Sequence, residues 1–269
     1  MPELPEVETI KRDLETNILD LSFLGVKVRD ARVLYDITPA RFQKQLTGRT
    51  IRRISRRGKG LIFHLDQGYL FVQVKMTGFF VIGSKSDAKE TKIIFRLSNG
   101  QYLNYNDQRL FGWFFLVKNL VQIPYLHTIG PEPLDDAFNP DWLKDHLEKR
   151  TSPIKPLLMN QHFVAGIGNI YASEILFKAG IHPKKKANRL TRKQIDLLHR
   201  STVAVLKESI AFRGTSMRNY RDSKGEKGNF LEHIRVYGKT KEPCPACQSE
   251  IKRIVQAGRS TFYCTQCQK

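Results

Sequence analysis

The sequence predicts an α+β protein: an N-terminal helix with an antiparallel β-sandwich, then a helical domain that ends in a four-cysteine β-hairpin. Three observations support this fold class. Short runs that alternate apolar and polar residues fill positions 25–117, with turn residues between them. From residue 139 onward the apolar residues recur at helical spacing. Two Cys-x2-Cys pairs close the chain.

The first residues combine a possible nucleophile with carboxylates. Removal of Met1, expected before the small Pro2, would leave a secondary amine with a pKa of about 8. Such an amine converts an aldehyde-like carbon into a charged iminium, and Glu3 and Glu6 could transfer protons beside it. The same residues also suit a helix start, because proline fits the first turn and acids favour its positive end. The apolar spacing predicts that this helix ends near residues 17–20.

Residues 25–117 are interpreted as β-strands. We expect strands at 26–28, 33–35, 51–54, 61–65, 69–74, 79–82, 93–97, 102–105 and 113–117. Asn99-Gly100 lies between two alternating runs and is a strong signal for a tight turn. We expect no helix between these strands, so the pattern indicates an antiparallel sandwich or barrel.

Three places in this β region suit a binding or catalytic role. Six basic residues in eleven positions end at Lys59, whose flanking glycines let the backbone turn while the lysine projects; a charged edge strand would also explain the arginines. Met76 lies beside a turn, although a core position explains a methionine as well. In a polar loop, Arg109 could bond a base and Phe111 could enter a base stack.

The second half is predicted to be helical. Helix starts are expected at Asn139-Pro140, at Ser152-Pro153 and at Thr191, which forms a capping box with Gln194. Asn169 follows a compact Gly-x-Gly turn and is expected to be a helix N-cap. It could cap its own helix only, or it could do so while the helix start also binds a phosphate. Residues 214–238 are interpreted as a mobile surface loop. The predicted domains are 1–123, a linker at 124–138, 139–238 and a zinc finger at 239–269.

The four cysteines predict a structural zinc site. Cys244-x2-Cys247 and Cys264-x2-Cys267 have the spacing of four zinc thiolates, and two disulfides are the alternative. Four thiolates leave no open position for catalysis, so one Zn²⁺ would be structural. Between the pairs, Arg259 would lie at the tip of a hairpin, either gripping a phosphate or as a solvated turn residue.

The charge distribution indicates a polyanionic partner. The net charge is +19, and residues 150–269 carry 23 Lys and Arg against 8 Asp and Glu. Nucleic acid is the first candidate and an anionic membrane surface the second. The sequence has no apolar run long enough to span a membrane, and its acidic start is unlike a secretion signal. We therefore expect a cytoplasmic protein with reduced cysteines.

Together these residues resemble one family, the bacterial formamidopyrimidine-DNA glycosylases. The resemblance runs through nearly the whole chain. It rests on Met1-Pro2-Glu3-Leu4-Pro5-Glu6-Val7-Glu8, Arg57-Gly58-Lys59, Met76-Thr77-Gly78, Asp107-x-Arg109-x-Phe111-Gly112, Gly166-Ile167-Gly168-Asn169-Ile170-Tyr171-Ala172, Val236-Tyr237-Gly238, and the finger with Arg259 and Thr261-Phe262-Tyr263-Cys264.

The resemblance implies a bifunctional glycosylase and abasic-site lyase that excises oxidised purines. Pro2 would be the Schiff-base nucleophile at the sugar C1′, and Glu3 would donate the proton that opens the sugar. Lys59 would serve as proton donor in β-elimination. Arg259 would serve in δ-elimination while holding a phosphate. The helical part would be a helix–two-turn–helix domain.

The resemblance also implies the partner, which is damaged double-stranded DNA bound by a monomer at the nucleoid. Asn169 and Arg150 would contact phosphates, and Glu6 belongs with the DNA-contacting residues. Residues 217–225 would cap the flipped base. The gap left by the extruded nucleotide would be filled by Met76, Arg109 and Phe111, with Arg109 facing the orphaned cytosine.

Two stretches depart from the family pattern. Gln73-Val74-Lys75 stands where His-Leu-Arg or a similar run usually precedes the methionine, and Lys89-Glu90-Thr91-Lys92 stands where Lys-His-Asp-His is usual. Glu90 would repel phosphate, so a DNA contact by that position is not expected. We expect these changes to alter affinity or lesion preference rather than to abolish activity, since the catalytic residues are intact.

Three other functions compete with this interpretation. An enzyme for oxidised pyrimidines is disfavoured by Leu4, since that branch usually has glycine there. A non-catalytic zinc-ribbon DNA-binding protein would need neither Pro2 nor Glu3. A small-molecule enzyme that uses an N-terminal proline as base would leave the basic half and the finger unexplained.

Overall fold

The computed structural model describes residues 1–86, 88–215 and 229–269. These residues form two compact units, one of Met1–Thr128 with Phe212–Leu231 and one of Ile129–Ala211 with Glu232–Lys269. The domain boundaries drawn from the sequence stay a prediction. Within the described ranges, every helix is too short or too polar to cross a membrane.

The N-terminal helix α1 spans Leu4–Ile18. Pro5 occupies its first turn, and its apolar face, which includes Val7 and Leu14, is buried. The helix stops at a point where Asp20 takes a left-handed φ of 58°. Both the predicted helix and its predicted end are confirmed.

Two four-stranded antiparallel sheets follow, in the orders β1-β6-β7-β5 and β2-β3-β4-β8. The strands are β1 Phe23–Val28, β2 Ile51–Arg57, β3 Gly60–Leu65, β4 Tyr69–Gln73, β5 Gly78–Gly83, β6 Thr91–Leu97, β7 Tyr102–Asp107 and β8 Trp113–Val117. Aromatic side chains such as Phe63 and Phe80 meet in the core between the sheets, with ring centroids 6.1 Å apart. The predicted sandwich is therefore confirmed.

Two local predictions in this unit are wrong. The strand expected at 33–35 is preceded by a 3-10 helix, Ala31–Val33, because the Asp30 carboxylate accepts from the backbone N–H of Arg32. Only an isolated bridge forms there, between Leu34 and Phe114. A helix, α2 Pro39–Leu46, interrupts the strands that were expected to have none between them.

The predicted linker region is partly folded against the second sheet. A 3-10 helix at Leu120–Gln122 and helix α3 Pro124–Thr128 cover the outer face of that sheet. Ile123 is fully buried there with Phe71.

The second unit contains the predicted helices and the hairpin. Its α-helices are α4 Pro140–Leu147, α5 Ile154–Leu158, α6 Asn169–Lys178 and α7 Arg192–Ala211, and its hairpin consists of β9 Ile251–Gln256 and β10 Arg259–Cys264. A 3-10 helix at Ala187–Arg189 also belongs to this unit, and the 3-10 helix Phe230–His233 spans the point where the chain passes from the first unit to the second. Two of the predicted caps are confirmed, because Asn139 accepts from two backbone N–H groups and Thr191 and Gln194 bond reciprocally. The helix expected at Ser152-Pro153 begins at Ile154, with Pro153 as its N-cap and no side-chain cap.

Candidate functional site

The start of α1 holds Pro2 and Glu3 in buried positions. The backbone N–H of Glu3 donates to Glu6 Oε2 at 2.8 Å, which fixes the chain just after Pro2. Glu6 Oε1 accepts from the backbone N–H and the hydroxyl of Thr215, at 2.7 and 3.0 Å. Gly214 approaches this carboxylate so closely that a Cβ would lie 2.8 Å from Glu6 Oε1.

The buried carboxylate of Glu6 therefore links the N-terminal segment to Thr215 by hydrogen bonds. Its carboxylate has partners on both oxygens. A direct contact between Glu6 and DNA stays a prediction. The predicted base-capping stretch, 217–225, lies outside the described residues.

Lys59 occupies a two-residue turn between β2 and β3, where Gly58 has a positive φ of 56°. The Lys59 side chain is half-buried, and its backbone N–H donates to the Tyr125 hydroxyl at 3.2 Å. Gly60 serves packing rather than the turn, because a Cβ there would lie 2.4 Å from the Phe71 ring. The two glycines around Lys59 thus have different physical causes.

Arg56 connects this turn to α1. Its Nη1 donates to the Gly58 carbonyl at 2.9 Å, and its Nε donates to Glu8 Oε2 at 3.2 Å. The helix that begins with Pro2 and the turn that carries Lys59 are therefore joined through one guanidinium.

Met76, Arg109 and Phe111, here called the wedge cluster, come together at the surface. Arg109 Nη1 lies 3.5 Å from Met76 Sδ, and its guanidinium carbon lies 4.5 Å from the Phe111 ring centroid. Met76 is 43% exposed and Phe111 is 48% exposed. The alternative of a core position for Met76 is therefore wrong. The guanidinium of Arg109 over the aromatic face of Phe111 is a favourable cation–π contact, and it helps to hold the cluster together.

The two departures from the family pattern have different surroundings. Gln73 is buried in β4. Glu90 is exposed, and its carbonyl accepts from the backbone N–H of Asp107 at 2.8 Å. Lys75 lies beside Trp113, with its Nζ 5.4 Å from the ring, and burial lowers the pKa of Lys75.

Asn169 is part of a buried polar network in the second unit. The helix begins at Asn169 with Gly168 as its N-cap, so the predicted capping role is wrong. The side chain turns instead to the hairpin, where Nδ2 donates to the Ser260 carbonyl at 3.0 Å. Its Oδ1 accepts from Lys155 Nζ at 2.5 Å, and Lys155 also donates to the Thr261 hydroxyl at 2.9 Å.

Lys155 is a site residue that the sequence did not reveal. It is only 1% exposed, which is unusual for lysine, and its acceptors include Asn169, 14 residues away, and Thr261, 106 residues away. No local spacing signal could have indicated those partners. The network ties α5 and α6 to the strand that begins at Arg259.

Arg259 and Arg150 are both exposed. Arg259 is the first residue of β10 and pairs with Gln256 across the two-residue turn, so it lies beside the tip rather than at it. The turn residues Ala257 and Gly258 have φ values of 47° and 70°, as a tight hairpin turn requires. Arg150 follows α4, with its N–H bonded to the Leu147 carbonyl.

Glu174 is a second buried charge that the sequence did not reveal. Its carboxylate accepts from the backbone N–H groups of Arg235, Val236 and Tyr237, each at 2.9 Å. Burial raises the pKa of Glu174 despite these donors. The contacts fix the segment that precedes the finger.

The four cysteines form a zinc site. Their sulfurs lie within 4.8 Å of one another, and the pairs Cys244–Cys267 and Cys247–Cys264 are separated by 3.8 and 3.4 Å. A disulfide requires about 2.05 Å, so the alternative of two disulfides is wrong. A tetrahedral zinc with bonds of about 2.3 Å places its sulfurs about 3.8 Å apart, which these thiolates match.

The fold and these sites define a β-sandwich protein with a helical unit and a zinc finger. Family models match at residues 1–114 (formamidopyrimidine-DNA glycosylase N-terminal domain), 129–221 (formamidopyrimidine-DNA glycosylase H2TH domain) and 241–269 (zinc finger found in FPG and IleRS). The formamidopyrimidine-DNA glycosylases of Chloroflexus aggregans and Bacillus licheniformis are 42% and 40% identical, and each alignment covers all of this chain and 98% and 100% of the relative.

Solved structures agree with these matches. A Lactococcus lactis FPG mutant in complex with a Fapy-dG containing DNA has a TM-score of 0.93 at 37% identity, with both chains fully covered. The MutM (FPG) protein of Thermus thermophilus has a TM-score of 0.89 at 36% identity, covering 99% of this chain and 98% of that one. The chain belongs to the formamidopyrimidine-DNA glycosylase family.

Proposed function

We propose that this protein excises oxidised purines from double-stranded DNA and then cleaves the abasic strand. The family membership supports the glycosylase step. The solved relatives include complexes with DNA that contains Fapy-dG, an abasic site or carbocyclic 8-oxo-G. The net charge of +19 favours binding to a polyanion.

The observation that carries the proposal is the buried Pro2-Glu3 pair at the start of α1. Once Met1 is removed, the Pro2 nitrogen attacks the sugar C1′, and the base departs with the bonding electron pair and the proton that the amine loses. The bond from C1′ to the ring oxygen then breaks, which leaves an iminium between Pro2 and C1′. Glu3 donates a proton to the ring oxygen as the sugar opens. The bond from Glu3 N–H to Glu6 supports this role, because it fixes the backbone next to the nucleophile.

Strand cleavage follows from the same iminium. Loss of a proton from C2′ expels the 3′ phosphate, with Lys59 as the proposed proton donor, and a second elimination expels the 5′ phosphate with Arg259 in that role. The Arg56 connection between α1 and the Lys59 turn supports joint positioning of the two groups. The Lys155 network supports a fixed position for the strand that bears Arg259.

DNA recognition is assigned to side chains in each unit. The wedge cluster has the composition for filling a gap in a base stack, since it offers two apolar side chains and a guanidinium. Arg150 and Asn169 are proposed to contact phosphates. The zinc is structural, because its four thiolates fill the tetrahedral shell and leave no position for substrate. We further propose that the protein acts as a monomer in the cytoplasm, at the nucleoid.

Borohydride trapping tests the proposal. Purified protein is mixed with a duplex that contains 8-oxoguanine opposite cytosine, reduced, and mapped by peptide analysis. We expect a covalent adduct at Pro2 that is absent with undamaged duplex and with a Pro2→Gly variant. Salt-dependent binding without any adduct would instead identify a non-catalytic DNA-binding relative.

A further inference from the structure

Two surface loops carry the wedge cluster. Residues 74–78 carry Met76, and residues 107–112 carry Arg109 and Phe111; they are here called the wedge loops. Each contains a non-glycine residue with a left-handed backbone, Lys75 with φ 51° and Leu110 with φ 56°. Such conformations persist only where the surrounding structure holds them.

The structure that holds them is the side chain of Asp107. This residue is fully buried at the end of β7. Its Oδ1 accepts from the Thr77 hydroxyl at 2.5 Å and from the backbone N–H of Arg109 at 3.2 Å. Its Oδ2 accepts from the backbone N–H of Gly112 at 2.8 Å and from the Tyr105 hydroxyl at 3.2 Å. One carboxylate therefore binds both wedge loops.

Thr77 also links the two wedge loops by hydrogen bonds. Its hydroxyl donates to Asp107 and accepts from the backbone N–H of Arg109 at 3.0 Å. The residue next to Met76 is thus bonded directly to the backbone of the residue whose guanidinium contacts Met76. Bonds to an ionised carboxylate are stronger than neutral ones, and a fully satisfied buried network rigidifies its surroundings.

Tyr105 fills the space between the two loops. A Cβ at Gly78 would lie 2.4 Å from the Tyr105 hydroxyl, and a Cβ at Gly112 would lie 1.7 Å from it. Both loops therefore pack on the same phenol oxygen, and only glycine permits the approach at either position. Burial raises the pKa of Tyr105, so the phenol keeps the proton that it donates to Asp107.

We propose that Asp107 is a positioning residue that joins the wedge loops into one rigid unit, so that Met76, Arg109 and Phe111 enter the DNA together. The inference rests on the proposed function. Thr77, Tyr105 and Asp107 lie below the surface, so they act on DNA only through the cluster above them. The network should matter for extruding a base from a paired duplex and not for chemistry on an abasic site that is already unpaired.

The test compares variants on two substrates. Thr77→Val removes only the hydroxyl that links the loops. Asp107→Asn replaces one carboxylate oxygen, which accepts hydrogen bonds, with an amide NH2 group, which can only donate to the N–H and O–H groups that it faces. Thr91→Val is the matched control, because Thr91 is also buried and donates its hydroxyl to a β7 side chain, that of Asn106, outside the wedge loops. The substrates are an 8-oxoguanine duplex, for excision, and a single strand with a preformed abasic site, for borohydride trapping.

We expect Thr77→Val and Asp107→Asn to slow excision from the duplex by roughly tenfold or more, as expected for loss of one or two buried hydrogen bonds. Trapping on the single strand should stay within about twofold of the wild type, which also shows that the variants are folded. Fluorescence of 2-aminopurine placed beside the lesion should rise more slowly in both variants. The Thr91→Val control should match the wild type in all three measurements.

Three results would overturn the inference: unchanged duplex excision in both variants, equal slowing on the two substrates, or equal slowing by Thr91→Val. Any of these, with an active wild type, leaves the proposed function standing. A wild type that neither excises 8-oxoguanine nor gives a trapped adduct would overturn both.

Discussion

Arg56 Nε lies 3.2 Å from Glu8 Oε2, and both side chains are largely shielded from solvent. The same guanidinium bonds to the Gly58 carbonyl, next to Lys59. This ion pair is therefore a structural connection between the helix that presents the nucleophile and the turn that presents the proposed proton donor. Loss of one partner from a shielded pair leaves an uncompensated charge, which costs more than the loss of an exposed pair that water screens.

Arg56→Lys should separate the two chemical steps. A lysine cannot hold Glu8 and the Gly58 carbonyl with a planar fork, so the Lys59 turn loses part of its support. We expect strand cleavage to fall about tenfold while base release changes little, since a small misplacement of a catalytic group is costly. The measurement is the ratio of strand cleavage to base release in single-turnover assays.

Arg12→Lys provides the control for that experiment. Arg12 also bonds to Glu8, with Nε 2.9 Å from Oε1, but its side chain is 59% exposed. The ratio of cleavage to release should be unchanged in this variant. Equal loss of both steps in Arg56→Lys would show that the ion pair supports the whole unit rather than the turn.

Removal of zinc should affect the finger while the β-sandwich remains folded. The four thiolates lie in the second unit, and loss of the ion leaves four close anions or thiols with no partner of comparable strength. We expect one zinc per chain by metal analysis, and a loss of duplex affinity on chelation. A protein with two disulfides would instead contain no zinc and no titratable thiol.

The sequence predicted most elements that depend on local signals. The helix after Pro5, the hairpin around Asn99-Gly100 and the zinc hairpin all follow from short-range spacing and turn chemistry. Helix α2 has a good local start at Thr38 and Pro39, but it is only eight residues long and lies between strand-like runs, so its periodic signal is weak.

Buried charges could not be predicted in this way. Lys155 bonds to Asn169 and to Thr261, which are 14 and 106 residues away, and Glu174 accepts from Arg235, 61 residues away. Only tertiary structure brings these partners together. The Asn169 error has the same cause. Its side chain was expected to cap the local helix, but the hairpin carbonyl at Ser260 offers a partner that only the folded unit brings near. The grouping of the wedge cluster follows from the resemblance, whereas the Asp107 network beneath it does not.

Glu174 should make stability depend on pH. Its pKa in the folded protein is raised above the ordinary value of 4.5, so the native state binds the proton more tightly than the unfolded state. The stabilisation linked to this proton is complete below 4.5 and is lost as the pH rises through the folded pKa. Glu174→Gln keeps an acceptor but cannot titrate. The difference in Tm between wild type and variant should therefore change with pH from 4.5 upward, and a constant difference would contradict the assignment.

Met76 and Phe111 should behave as one unit in DNA distortion, because Arg109 contacts both. Met76→Ala and Phe111→Ala should each slow excision from the 8-oxoguanine duplex by about tenfold, or about 1.4 kcal/mol of activation free energy. The double variant should lose less than the sum, with a coupling of at least about 0.5 kcal/mol, since the first substitution already weakens the packing that the second removes. Val121→Ala is the control, because Val121 is 63% exposed on the 3-10 helix that covers the second sheet and should leave excision unchanged. Strict additivity of the two wedge substitutions would show that the side chains enter the DNA independently, and the contacts through Arg109 would then have no role in the distortion step.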